Sequence, residues 1–341
     1  MSPRDRERGV VLLIVLFFAL LLVSSVATFT HRATIDAMIS RNRESAARAE
    51  ALARGGVRIA KALLREDALR DAENGEALDS AGEDWFRIRE VPIETDFGGT
   101  LRLQINDAGA KLNLNALFAT DEGGVLDERT DFLLEELLEK VIDEMPVAPG
   151  EKLYDTGQLA DSLIDWVDHD SDRQRGGPED EYYQRQDPPY TASNQPLMSV
   201  DELRLIEGFD AKLVDAMRDY VTVYPYAGGG GINLNTAPPH VLALLYYVDG
   251  VDLVLAGQET VRRILEARKD GGLICPEEQS VEGCTPIREI VTNAIYPPPT
   301  FRSQVFSVRA EARVGDVRRV VVAVIDRSEV ESPQVLSWVV R

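Results

Sequence analysis

Cysteine and histidine are scarce in this 341-residue chain, which has two of the first and three of the second. That scarcity excludes a zinc site of the usual Cys/His spacing and leaves few candidates for a general base. No Gly-x-Ser-x-Gly, His-Glu-x-x-His or phosphate-cradling glycine loop occurs, so the common hydrolase, metalloprotease and nucleotide-binding readings have no residues to stand on. Positive charge is the other shortage. There are 37 Lys and Arg against 58 Asp and Glu, a net charge of −21. Residues 1–65 carry 11 of the basic residues against 5 acidic ones, which leaves −27 for residues 66–341. A body that acidic repels phosphate backbones and attracts cations, so it is expected to bind no nucleic acid. No small-molecule substrate and no enzyme activity are expected either.

The chain does possess one long apolar run. From Val10 to Phe29 no charged residue interrupts twenty positions, and at about 1.5 Å per residue a helix of that length spans roughly 30 Å, the hydrocarbon core of a bilayer. Arg4, Arg6 and Arg8 precede it. Basic flanks resist translocation, so the N-terminus is expected to stay cytoplasmic and the rest to cross. A cleaved secretory signal has a similar start but a shorter apolar core, and here the helical pattern continues well past His31. Ile35, Met38, Ile39, Ala46, Ala49, Ala53, Val57, Ala60, Leu63 and Leu64 recur at steps of three and four with arginines between them, which predicts one continuous helix. Gly55 and Gly56 weaken it locally while allowing close approach of a packed sheet.

The period then changes. Trp85–Val91 and Thr100–Asn106, separated by Gly98-Gly99, alternate as a hairpin, and Gln304–Val314 with Val317–Ile325 around Gly315-Asp316 predicts a second. Between them, helical spacing with caps or glycine stops appears over 130–144, 155–168, 199–207, 211–220, 238–247 and 259–269. The expected fold is α+β: a long N-terminal helix on an antiparallel sheet, with a large all-α domain inserted between strands. In residue ranges this gives a leader over 1–9, a membrane part over 10–29, a periplasmic helix over 30–70, a first sheet portion over 71–111, the insertion over 112–300 and the last sheet portion over 301–341. Two echoing segments, Lys111-Leu-Asn-Leu-Asn115 and Gly231-Ile-Asn-Leu-Asn235, each read as a strand running into a capped helix. Cys275 and Cys284, nine residues apart in an exported loop, are expected to form a structural disulfide.

The most chemically loaded stretch runs from Asp168 to Glu181. It places six carboxylates within fourteen residues, a density that forces an extended loop unless a cation neutralises it. Asp168, Asp170, Asp172 and Glu179 fall at positions 1, 3, 5 and 12 of a calcium loop of EF-hand spacing. Arg173 replaces the glycine such a loop needs at position 6, so an EF-hand proper is not expected. The segment Asp201–Val214 resembles a helix-hairpin-helix, but Glu207 and Asp210 flank its turn, which suits a structural hairpin better than a phosphate-binding one.

Together these residues resemble a known family. Arg8-Gly9 before Val10-Val-Leu-Leu-Ile-Val-Leu is similar to a prepilin-type leader, in which a peptidase cuts after Gly9 and methylates Val10. Asn113-Leu-Asn115, Leu163–Asp170, Pro178–Tyr183, Pro189-Tyr190, Ser199–Leu203 and Ile232–Pro238 resemble, in order, the K-type minor pseudopilin of the type II secretion system. Ile14 stands where most pilins carry glutamate, as is usual for K-type proteins, and a buried carboxylate there would need a partner amine. The resemblance implies a single-pass inner-membrane protein with a periplasmic domain. It also implies I- and J-type minor pseudopilins and the inner-membrane secretion platform as partners, and a place at the filament tip in initiating assembly for protein export. It implies calcium held by Asp168, Asp170, Glu179 and Asp180, with Asn194 as a further candidate beside the Asp172 that the spacing suggests. The alternatives are a minor pilin of a type IV pilus or DNA-uptake system, or a simple membrane-anchored calcium-binding domain.

Overall fold

The computed structural model describes residues 3–75, 78–118, 128–146, 154–174, 176–226, 231–277 and 283–341, with side chains from residue 11 onward other than those of 74 and 128. Its first element is a single helix, α1 (Pro3–Asn74). Gly9 and Val10 lie on its backbone, and their side chains are outside the described residues. The apolar half is exposed: its most apolar window reaches a mean hydropathy of 2.8 with 0% of it buried. That makes α1 one helix long and apolar enough to cross a membrane. From Ala49 the helix changes character. Ala49, Ala53, Val57, Ala60, Leu64 and Ala68 are buried at steps of four and three, one face of a helix.

That face lies on a sheet. After α1 come a short helix α2 (Asp84–Arg87), then β1 (Ile93–Glu94) and β2 (Gly99–Asp107). The expected strand over Trp85–Val91 is not formed. Its place is taken by α2 and a 3-10 turn over Ile88–Glu90, because Trp85 turns inward to meet Phe306 edge-on at 5.0 Å and is 1% exposed. Burial of one large aromatic outweighs the alternating pattern around it.

The chain then leaves the sheet for nearly two hundred residues. The described elements of this insertion are β3 (Leu112–Asn113), α3 (Leu114–Leu117), α4 (Glu128–Glu144), α5 (Thr156–Val167), α6 (Asp180–Tyr183), α7 (Ala211–Met217), β4 (Val221–Thr222), β5 (Ile232–Asn233), α8 (Pro239–Leu242), β6 (Tyr246–Asp249), β7 (Asp252–Leu255), α9 (Gln258–Ala267), β8 (Leu273–Cys275), β9 (Cys284–Pro286), α10 (Ile287–Ile290), β10 (Ile295–Tyr296) and β11 (Pro299–Thr300). The insertion has its own apolar core, from Leu112 through Leu163, Trp166 and Leu213 to Ile295. It is mainly helical as expected, with an addition that periodicity did not resolve: four small sheets, β3-β4, β5-β11, β10-β6-β7 and β8-β9. The helix expected over 238–247 stops at Leu242, and from Tyr246 the chain pairs as β6 with β7 and β10. The stretch over 199–207 forms a 3-10 turn, Val200–Leu205. Cys275 and Cys284 are joined as a disulfide.

The two echoing segments fold alike. β3 pairs in parallel with β4 (Leu112 with Val221), and β5 pairs in parallel with β11 (Ile232 with Pro299). In each copy the first asparagine accepts from the backbone N–H of the second, Asn115 at 3.1 Å and Asn235 at 2.9 Å. The second asparagine then holds a distant segment by both its oxygen and its nitrogen: Asn115 the backbone of Leu197 in an irregular stretch, Asn235 that of Ile274 in β8. A carboxamide bonded in this way substitutes for one rung of a β-ladder.

The chain returns as β12 (Val305–Val314), β13 (Val317–Asp326) and β14 (Gln334–Val340), which complete an antiparallel sheet ordered β1-β2-β12-β13-β14. Asp107 at the end of β2 faces Phe306 at the start of β12, so both ends of the insertion leave from one point. The sheet core, including Leu101, Leu103, Ile105, Phe306, Val308, Ala310 and Val321, packs on α1. At the closest approach a Cβ built on Gly56 would stand 2.9 Å from Ala310 Cβ and 3.0 Å from Leu101 Cδ1. Only glycine lets the helix settle that near the sheet.

Candidate metal centre

The acidic loop begins where α5 ends. Asp155 caps the start of that helix by accepting from Gln158 N–H at 2.9 Å, and Leu159, Leu163, Ile164, Trp166 and Val167 bury its inner face. Asp165 sits on the last turn, 7% exposed. Asp168 follows the helix in extended conformation, its N–H closing the final turn onto Ile164 O. The loop then doubles back. Asp170 Oδ1 accepts from Asp172 N–H at 2.8 Å, Arg173 N–H donates to Gly177 O at 3.0 Å, and Asp172 bridges to Pro178. This turn carries Glu179, 2% exposed, back to Asp168 and Asp165. Carboxylate oxygens of Asp165, Asp168 and Glu179 all lie within 4.8 Å of one another.

Three oxygens at this place lack a hydrogen-bond partner although they are shut off from solvent: Asp168 Oδ1, Glu179 Oε1 and Asn194 Oδ1. Asn194 adopts a left-handed backbone, φ +47°, uncommon for a residue other than glycine. Its N–H donates to Trp166 O at 2.9 Å and its side-chain nitrogen to Asp170 O at 2.5 Å, which holds the remaining oxygen in place. Burial, then the nearby Asp170 and Asp165, pushes the Asp168 carboxyl up to about 6. Burial, then Asp168, Asp165, Asp170 and Asp180, pushes Glu179 up to about 7. Burial also raises Asp165, against the Gln174 N–H it accepts at 2.9 Å. Crowded carboxylates with idle buried oxygens are what a hard cation relieves. The donor set is all oxygen on a flexible loop, and it fits calcium better than a metal preferring nitrogen or sulfur.

The candidates named from sequence divide here. Asp168 and Glu179 stand in the close group, and Asn194, held to Asp170 O, carries a third buried oxygen without a partner among the described residues. Asp170 and Asp172 do not join the close group: Asp170 uses Oδ1 for its turn, and Asp172 is exposed. Asp180 Oδ1 accepts from Ala192 N–H at 3.0 Å and so fastens the segment that carries Asn194. EF-hand counting failed because the loop folds back on its own helix end. Asp165, which the counting omitted, stands three residues before Asp168, and the (i, i+3) spacing at a helix terminus was the available signal. The aromatics Trp166, Tyr183 and Tyr190 pack edge-on or tilted behind the loop, with centroids 5.2–6.3 Å apart.

Comparisons with known proteins bear on the family and the fold. A family model described as type II secretion system (T2SS), protein K matches residues 110–226. The chain is 30% identical over 332 residues to type II secretion system protein K of Pseudomonas aeruginosa, covering 96% of this chain and 90% of that one. It is 31% identical to the protein of the same description from Klebsiella pneumoniae, over 78% of this chain and 77% of that one. In fold it resembles a chain in the crystal structure of the GspK-GspI-GspJ complex from enterotoxigenic Escherichia coli, with a TM-score of 0.58, 19% identity, and coverage of 91% of this chain and 99% of that one.

Proposed function

The chain belongs to the type II secretion system protein K family, and from that membership we propose that it is a minor pseudopilin that initiates and caps a periplasmic filament. It is a component whose single N-terminal apolar helix fits a membrane anchor. In this reading prepilin peptidase cuts after Gly9 and Val10 becomes the methylated N-terminus. The helix sits in the inner membrane with the acidic body in the periplasm, and the partners are I- and J-type minor pseudopilins together with the inner-membrane platform.

The observation that carries the reading is the split of α1. Its sheet-facing half is buried from Ala49 to Ala68, while Val11 to Phe29 and Ile35, Met38 and Ile39 remain exposed. Exposed apolar helix surface in that quantity is stable only in lipid or against other such helices. The insertion leaves beside β2 and β12 as a separate body with its own core, too bulky to repeat along a closely packed fibre, which favours a single copy at the end. Calcium held by Asp165, Asp168, Glu179 and Asn194 has a structural part: it ties the end of α5 to the returning loop.

The test is site-specific photo-crosslinking from Met38 in cells making the I- and J-type proteins, with intact-mass analysis of the extracted chain. A covalent product with either protein and a methylated start at Val10 are expected, and Gly9→Leu should abolish both. An uncut chain that forms no such product would overturn the assignment. For calcium, titration of the chelator-stripped chain should raise its melting temperature, and Glu179→Gln should weaken the effect about tenfold or more. A melting temperature indifferent to calcium would exclude the ion.

A further inference from the structure

An open cleft of about 450 Å³ lies between the segment that follows α1 and the second half of the insertion, away from the acidic loop. Ser80, Ala81 and Gly82 form one wall, Asn235 to Pro238 a second, and the end of α9 with Leu265 and Arg268 a third. Among the described residues, Arg268 is the one charged residue lining it. Its Nη1 donates to Leu234 O at 2.8 Å and Ala237 O at 2.9 Å. Nε and Nη2 have no acceptor among the described residues, and no carboxylate forms an ion pair with the group. Burial alone acts on this guanidinium and lowers its pKa. Most other polar atoms of the lining are occupied: Thr236 Oγ1 donates to Asp107, and the Asn235 carboxamide is committed to Ile274. Ser80 Oγ accepts from Gly82 N–H at 3.2 Å, which leaves its hydroxyl proton free to donate.

A half-buried guanidinium without a counter-ion is unfavourable. In a chain with 58 acidic residues, an arginine that no acidic group among the described residues answers marks a site whose anion comes from elsewhere. We infer that this cleft binds a carboxylate of a peptide segment, with Arg268 Nε and Nη2 as the charged donors and the Ser80 hydroxyl as a third. The forked guanidinium matches the two oxygens of a carboxylate. A single positive charge in a strongly negative body suits a monoanion and disfavours a phosphate dianion. Ala81, Ala237, Pro238 and Leu265 supply apolar wall for the adjoining peptide chain. The carboxylate has two possible sources, a free C-terminus or an Asp or Glu side chain.

The test is methyl NMR of the full chain in detergent micelles, read at Ala237 and Leu265. The probes are a short neutral peptide with a free C-terminal carboxylate, the same peptide as its amide, an amidated peptide containing one Glu, and inorganic phosphate, each to roughly 10 mM, where one charge-assisted contact still registers. Saturable shifts are expected from one or both carboxylate probes, and which one responds identifies the source. Arg268→Gln, which can still donate to the Leu234 and Ala237 carbonyls, should weaken binding about tenfold. Equal response to the neutral amide, tighter binding of phosphate, or silence from both carboxylate probes would each overturn the inference. All of these are read on the unsubstituted chain and so do not depend on how the variant folds.

Discussion

Replacing Arg327 by leucine tests what holds the pilin-like module to its neighbours. The guanidinium is 1% exposed and serves three parts of the chain at once. Nη1 donates to Asp67 of α1 at 2.6 Å, Nη2 to Asp79 beyond that helix, and Nε to Ser303 O at the exit of the insertion at 3.1 Å. Its face lies 4.5 Å from the Phe306 ring centroid. Leucine retains much of the apolar stem and removes the charge, so Asp67 and Asp79 are left facing each other with Asp71, whose Oδ2 already lacks a partner. Breaking a buried pair from one side costs about 3–5 kcal/mol. The loss also carries a pH signature. Burial already raises the Asp67 carboxyl against the pull of Arg327, and without that cation it rises further; a carboxyl raised in the folded state favours folding at low pH and loses that contribution as pH rises through its folded value. The deficit of Arg327→Leu should therefore be largest near neutrality and shrink toward pH 4. Denaturant unfolding of the full chain in micelles, followed by the near-ultraviolet signal of Trp85 against Phe306, measures both. A loss below about 1 kcal/mol, or one that stays constant with pH, would refute the reasoning.

Adjacent glycines on α1 should respond in opposite directions. Gly55→Ala meets nothing within 4 Å and should gain about 0.5–1 kcal/mol of helix propensity. Gly56→Ala drives a methyl into Ala310 and Leu101 and should lose about 1–3 kcal/mol before that gain is counted; thermal melts separate them, and equal shifts would contradict the packing. Glu83 is raised from 4.5 to about 8, first by burial and then by Asp67 and Asp79, and Asp71 to about 7 by burial and the same neighbours. Stability should thus fall as pH rises from about 4.5 through about 8, and Glu83→Gln should flatten the curve, as urea midpoints across that range would show. Asn113→Ala should lower protection from hydrogen exchange within the first half of the insertion, whereas Asn233→Ala should do so at Ser303 and Gly109, where the insertion meets the sheet, each at a cost of about 1–3 kcal/mol.

How much the sequence disclosed depended on the range of the forces involved. The long helix, its exposed apolar half and the β12-β13 hairpin are written in local periodicity, and the structure shows all three. Trp85 shows where local pattern fails: Trp85-Phe-Arg-Ile-Arg alternates like a strand, but the ring is buried against Phe306, more than two hundred residues further on. β14 was not anticipated as a strand; it pairs along the edge that β13 offers, with a register shift between Val324 and Ile325. The short ladders of the insertion are likewise set by distant partners such as Val221 for Leu112 and Pro299 for Ile232. Acidic density along the chain was visible at the candidate metal centre, but the choice among its carboxylates was not. Glu179 enters because a turn through Gly176 and Gly177 reverses the loop, Asp165 because the helix end presents it, and Asp170 stays out because its oxygen is spent on the turn.

The echoing asparagines show how one local device serves two purposes. In the first copy the free amide of Asn113 donates to Pro225 O, inside the insertion, at 2.9 Å. In the second, Asn233 Nδ2 reaches outward to Asp79 O, Asp107 Oδ2 and Ser303 Oγ at 3.2, 3.0 and 3.3 Å. Asp107 closes β2, Ser303 precedes β12, and Asp79 accepts from both Arg327 and Ser303 N–H. The insertion is therefore fastened at its root by a buried polar network rather than by apolar contact alone. Such networks demand directional geometry, and a rotated insertion would draw Asn233 and Thr236 away from Asp107 and from Asp79 O, leaving the buried Asp107 carboxylate short of donors. Apolar surfaces tolerate sliding far better. In the proposed role, where the N-terminal helix packs beside other such helices, the network sets how the insertion sits on the sheet before any partner arrives.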